Sequence, residues 1–133
     1  MTLQNAHIAI WGDGESGSQL VSGQLASLGA SVEQVTSLEE ARAAVRAERV
    51  DLVLGWLDGA FLEPLELLTW LQSQPVGPPI VIVTASGDVD LYLEAMQRGA
   101  FDCIGLPVDA NELARIVVGA LEAGRVRAAL KGG

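Results

Sequence analysis

The sequence predicts an α/β chain built from five successive β-α units, with a five-stranded parallel sheet lying between two layers of helices. Three observations carry that expectation. Five short apolar runs alternate with five segments of helical periodicity, the pattern of a parallel sheet buried on both faces. The chain has 133 residues, half of them hydrophobic, which is enough for one full core and too little for two ordinary domains. Gly29 and Gly99 close helical segments and Pro75, Gly77, Pro78 and Pro79 cluster just before an apolar run, as breakers of regular structure should.

Residues 7–11 (HIAIW) form the first strand, and residues 16–28 follow as a helix with Leu20, Val21, Leu25 and Leu28 at helical spacing and Gly29 as its stop. A second strand spans residues 30–35. Ser37 then caps a helix reaching toward Arg49, with Glu40 three residues on at capping-box spacing. The third strand, residues 50–56, is apolar apart from Asp51 and Gly55, as a central strand should be. A third helix covers residues 63–73, and Pro75, Gly77, Pro78 and Pro79 break the chain before residues 80–84 (IVIVT), the most strand-like run present. A fourth helix over residues 88–98 ends at Gly99, a fifth strand spans 101–105, and a fifth helix runs from Asp109 to about Ala123. Residues 1–123 are therefore expected to form the domain, and 124–133 a tail or the start of a linker.

Seventeen acidic residues against eight basic ones give a formal charge of -9, which would repel a phosphate backbone, so direct nucleic-acid binding is not expected. One cysteine, Cys103, cannot close an internal disulfide, and with one histidine, His7, it cannot build a cysteine-rich zinc site. No apolar run approaches the roughly 18 residues needed to span a bilayer. The composition suits a reducing cytoplasm, without a membrane partner.

In an open parallel sheet the working site lies beyond the carboxyl ends of the strands. Two patterns compete there. Residues 12–17 (GDGESG) match the dinucleotide-binding glycine pattern, follow a strand and open a helix. The carboxylate that would hold a ribose hydroxyl is missing, since Ser37 and Leu38 stand in its place and Glu33 lies inside the second strand. The plain alternative is a turn made by Gly12 and Gly14 with Ser16 capping the helix.

The other pattern runs through most of the chain. Residues 51–54 (DLVL), 80–85 (IVIVTA), 99–102 (GAFD) and Leu106-Pro107 resemble the response-regulator receiver family in order and spacing, over about residues 7–122. The resemblance implies a flavodoxin-like (βα)5 three-layer sandwich with strand order 2-1-3-4-5. It also implies a place in bacterial phosphorelay signalling. A phosphorylatable member of that family carries two acids after the first strand, a phospho-accepting aspartate after the third, a Thr or Ser after the fourth and a lysine after the fifth. Here those positions read Gly12-Asp13, Trp56, Thr84 and Leu106, and Cys103 replaces the aromatic common on the fifth strand.

Phosphoryl transfer to a carboxylate needs a nucleophilic oxygen, a divalent cation and a further positive charge. Trp56 has no nucleophile, Leu106 no charge, and Asp13 alone is a weak metal ligand. A buried indole covers about 150–250 Å², worth at most about 4–6 kcal/mol, so Trp56 is expected to fill the former acidic pocket close to Thr84 and Leu106. The expected function is that of a non-phosphorylatable receiver, without enzymatic activity, cofactor or metal, that binds a protein partner, a neighbouring effector domain or a second copy. The expected contact face comprises the fourth helix, fifth strand and fifth helix, with Val89, Leu93 and Cys103 on it and Tyr92 and Met96 turned toward the sheet. Two alternatives stand beside it: a conventional receiver using Asp58, two positions after Trp56, and a nucleotide-binding regulatory domain using the loop from Gly12 to Gly17.

Overall fold

The structure, a computed structural model, describes residues 3–12, 16–57, 62–74, 77–85 and 89–132, with the side chains at 16, 17, 85 and 127–132 outside that description. Five parallel strands, β1 (His7–Trp11), β2 (Ser31–Gln34), β3 (Leu52–Leu57), β4 (Ile80–Ala85) and β5 (Asp102–Leu106), form one sheet in the order β2-β1-β3-β4-β5. The helices α1 (Ser16–Ser27), α2 (Leu38–Arg46), α3 (Glu63–Leu71), α4 (Val89–Gln97) and α5 (Ala110–Gly132) alternate with them. This is the flavodoxin-like (βα)5 sandwich, in the strand order expected.

Strand alternation divides the core between two layers. On one face, Ile8, Ile10, Leu52, Leu54, Trp56, Val81, Val83 and Ile104 pack with Val21 and Leu25 of α1 and Leu113, Val117 and Leu121 of α5. On the other, Trp11, Val53, Leu57, Ile80 and Ile82 pack with Ala41 and Ala44 of α2, Leu67 and Leu68 of α3 and Ala95 of α4. All six residues of β3 are buried, as the central strand of a doubly covered sheet requires. Gly55 has a specific reason: a Cβ there would meet the Pro64 Cβ at 3.0 Å, so α3 can sit this close to β3 only over a glycine.

Local chemistry sets the boundaries. Gly29 and Gly99 take φ of +100° and +102° at the ends of α1 and α4. The Ser37 hydroxyl accepts from Glu40 N at 3.1 Å, whereas the Glu40 carboxylate reaches one residue further back than a standard capping box and accepts from Thr36 N and Oγ1, each at 3.0 Å. The start of β1 is tied to β3 by Asp51, whose amide donates to His7 O at 2.6 Å and whose carboxylate accepts from His7 N at 2.8 Å. Helices α2 and α3 are stitched by Trp70, with the guanidinium carbons of Arg42 and Arg46 at 5.7 and 5.3 Å from its ring centre.

One boundary is corrected. The fifth helix does not stop near Ala123 but runs on to Gly132, so residues 124–132 of the stretch expected as a tail or the start of a linker continue it. Nothing in residues 124–132 breaks a helix as proline would, and an amphipathic pattern marks only where packing stops, not where backbone hydrogen bonding does. Among the described residues no helix is long and apolar enough to cross a membrane.

Candidate functional site

The carboxyl ends of β1, β3, β4 and β5 bring the expected positions together. Parallel pairing sets Trp11 beside Gly55, Trp56 beside Val83, Leu57 beside Thr84, Thr84 beside Gly105 and Ala85 beside Leu106. Trp56 lies within β3, 6% exposed, on the face covered by α1 and α5. Leu106 packs partly buried against the same cluster and is joined to Pro107 by a cis peptide bond. The sequence expectation of a buried Trp56 sharing its surroundings with Leu106 agrees with this geometry.

Thr84 departs from that expectation. It is buried at 4% exposure, but as the partner of Leu57 it faces the layer opposite Trp56. Its hydroxyl hydrogen-bonds the thiol of half-buried Cys103, whose backbone pairs with Ile82 one step earlier. Burial raises the Cys103 thiol above its ordinary range, the Thr84 hydrogen bond pulls it down and the nearby Asp102 carboxylate pushes it up again. The sequence relates Thr84 and Cys103 only through their places in the receiver pattern. The signal joining them was the strand alternation, which puts Ile82, Thr84 and Cys103 on one face once the register between β4 and β5 is known.

Gly12 follows β1 and is half-buried, while Asp13 and Asp58 lie outside the described residues, as do Gly14 and Glu15 of the glycine-rich stretch. The one carboxylate of β2, Glu33, is engaged by Arg49 at 3.2 Å. Among the described residues, no three His, Cys, Asp or Glu side chains are grouped to hold a metal ion. Of the described side chains at these positions, Trp56 and Leu106 carry no oxygen and Thr84 carries one, whereas a divalent cation wants several oxygen ligands.

Beside this site, α4 exposes Val89 (64%) and Leu93 (49%), as expected, and also Tyr92 (42%), which was expected nearer the sheet. The inward stripe is instead Leu91 and Ala95, with Met96 half-buried at its edge and Arg98 donating to Leu65 O and Thr69 Oγ1 of α3. Ala95, fully buried, lets the helix approach closely, which a bulkier residue would prevent. Phe101, 39% exposed, lies against Gly119 of α5.

The model of the response regulator receiver domain matches residues 8–118. The chain belongs to the response-regulator receiver family. The receiver is 34% identical over 112 residues to the nitrogen assimilation regulatory protein NtrX of Azorhizobium caulinodans, covering 83% of this chain and 25% of that protein. It is 30% identical over 122 residues to the transcriptional regulatory protein GlrR of Escherichia coli, covering 92% of this chain and 28% of that one. The crystal structure of NtrX from Brucella abortus superposes with a TM-score of 0.78 at 27% identity, over 99% of this chain and 29% of that one. The receiver thus spans about a quarter of the length of the curated relatives it matches, and those relatives are regulators of transcription or nitrogen assimilation by description.

Proposed function

We propose that this receiver takes up no phosphoryl group and signals by protein contact alone, as a constitutive docking module for a protein partner or an effector domain of the kind its longer relatives carry. The observation that supports this reading is the indole of Trp56, 6% exposed within an apolar cluster at the position where the family's pattern places the acceptor aspartate. The neighbouring Leu106 packs against the same cluster, so the cation that would offset developing charge is replaced by hydrocarbon. No enzymatic step, metal or nucleotide belongs to this function. The contact surface is the apolar stripe of α4, Val89, Tyr92 and Leu93.

The test is incubation with acetyl phosphate and abundant magnesium, read by intact mass spectrometry. The expected spectrum is that of the unmodified chain. A stoichiometric adduct of about 80 Da, the mass of one added HPO₃, mapped to Asp58 and abolished by Asp58→Asn, would overturn the proposal and establish a conventional receiver.

A further inference from the structure

Two arginines of α2 converge on one tryptophan of α3. Arg42 and Arg46 lie four residues apart, one turn along the same side of their helix, and their guanidinium carbons stand 5.7 and 5.3 Å from the ring centre of half-buried Trp70. The two carbons are therefore no more than about 11 Å apart. Like charges at this spacing repel each other, and within the chain the indole is what draws them together.

The indole leaves most of their hydrogen-bonding capacity unused. A ring face attracts positive charge but is a weak acceptor, and each guanidinium carries five N–H donors. Among the described residues, exposed Arg46 reaches no carboxylate. Arg42 has Glu39 at 3.9 Å, too far for a hydrogen bond, with the Glu39 side chain 86% exposed, and its own Nε is buried without a partner. Glu66, one turn before Trp70 on the same side of α3, is exposed and pairs with neither arginine. Arginines elsewhere behave differently: Arg49 and Arg98 each reach a carboxylate at 3.2 Å and Arg115 reaches one at 3.5 Å.

We propose that the Arg42–Trp70–Arg46 cluster is a second docking surface, separate from the α4 stripe, that takes a carboxylate-rich segment of a protein partner. A guanidinium fork matches a carboxylate through two parallel N–H···O bonds, and Trp70 supplies apolar area between the two forks. Acidic side chains two apart on an extended segment are spaced by about 7 Å, within reach of both arginines. A short peptide covers the cluster alone. A stiff nucleic-acid duplex would also bring its phosphates against Glu39, Glu63 and Glu66, in a chain of net charge -9. The proposal does not depend on the Trp56 reading, because the cluster lies on the helices and not at the carboxyl ends of the strands.

The test titrates the full chain into a fluorescein-labelled hexaglutamate peptide at low salt and reads anisotropy. Saturable binding that weakens as salt is raised is expected. Tryptophan emission should change in parallel, and since Trp11 and Trp56 are 0% and 6% exposed, the indole that reports contact is Trp70. Arg46→Gln should weaken binding several-fold and Arg42→Gln with Arg46→Gln at least tenfold, whereas Arg115→Gln on α5 should leave it unchanged. Arg42→Lys with Arg46→Lys keeps both charges but loses the planar forks, and should also weaken binding several-fold. The urea midpoint of each variant confirms that it is folded. Absence of binding up to millimolar chain, or equal binding by the double glutamine variant, would overturn the proposal. So would binding untouched by the double lysine variant, which would reduce the cluster to bare charge, or displacement of the peptide by duplex DNA or inorganic phosphate at lower concentration than by unlabelled hexaglutamate.

Discussion

Trp56 fills space that a smaller residue would leave empty. It is almost fully buried between strands whose neighbours Leu54, Val83 and Ile104 belong to the same cluster, so the cluster cannot collapse onto a truncated side chain without moving the sheet. Trp56→Ala should therefore cost about 3–5 kcal/mol, measured as the shift in urea unfolding at constant slope; a loss well below 1 kcal/mol would contradict the packing described. Cys103 makes a different contribution, one that depends on pH. Its folded-state thiol is raised, mainly by burial, above the value it has when unfolded, so the folded state holds its proton more firmly at alkaline pH. The contribution is complete below the unfolded thiol range and is lost as pH rises through it toward the folded value. Between neutral pH and about pH 10, the urea midpoint of the native chain should fall more than that of Cys103→Val.

Among the helices, α4 is held to the body by the fewest buried residues described, with only Ala95 fully enclosed. Its grip comes from Leu91 and Ala95 and from Arg98, which bridges to α3 and to Glu94 at 3.2 Å. Val89 and Leu93 share the outward side, four residues apart. The double substitution Val89→Ser, Leu93→Ser should change stability by no more than about 0.5 kcal/mol, the range for exposed positions. The same variant should weaken binding of a partner that uses this face by at least tenfold, read by titration calorimetry. A large loss of stability instead would place these side chains in the core.

For the whole molecule, the prediction is that no single substitution reinstates phosphoryl uptake. Trp56→Asp restores one carboxylate, but Gly12 still stands where a metal-binding acid is needed and Leu106 where a cation is needed, and each gap removes a separate electrostatic contribution. Gly12→Asp, Trp56→Asp and Leu106→Lys together should be required for an acetyl-phosphate adduct in the mass spectrum. That triple variant should also unfold at lower urea than the parent, because it replaces buried indole and leucine with clustered charges. An adduct on Trp56→Asp alone would show that the flanking charges are dispensable.

The number, type and sequence of the elements were legible in the amino-acid order, because apolar periodicity, the Ser37 cap and the glycines at 29 and 99 act over a few residues and need no distant partner. The burial of Trp56 was legible too, since an aromatic inside an unbroken apolar strand of a doubly covered sheet has nowhere else to go. Which way Thr84 faces was not. That depends on the register between β3, β4 and β5, which is set by pairing between segments far apart in the chain, and it turns the hydroxyl toward Cys103 instead of Trp56. The inward stripe of α4 was hidden for a related reason: Ala95 contributes little to a hydrophobic pattern, yet its small size is what permits close approach to the sheet, leaving Tyr92 outside. The concavities at the other end of the sheet, which share Gly77, Pro78, Pro79 and Gly124 in their lining, have no local signature at all. Their walls come from residues between Val45 and Arg125 that meet only when the sheet and helices are assembled, so tertiary structure alone decided them.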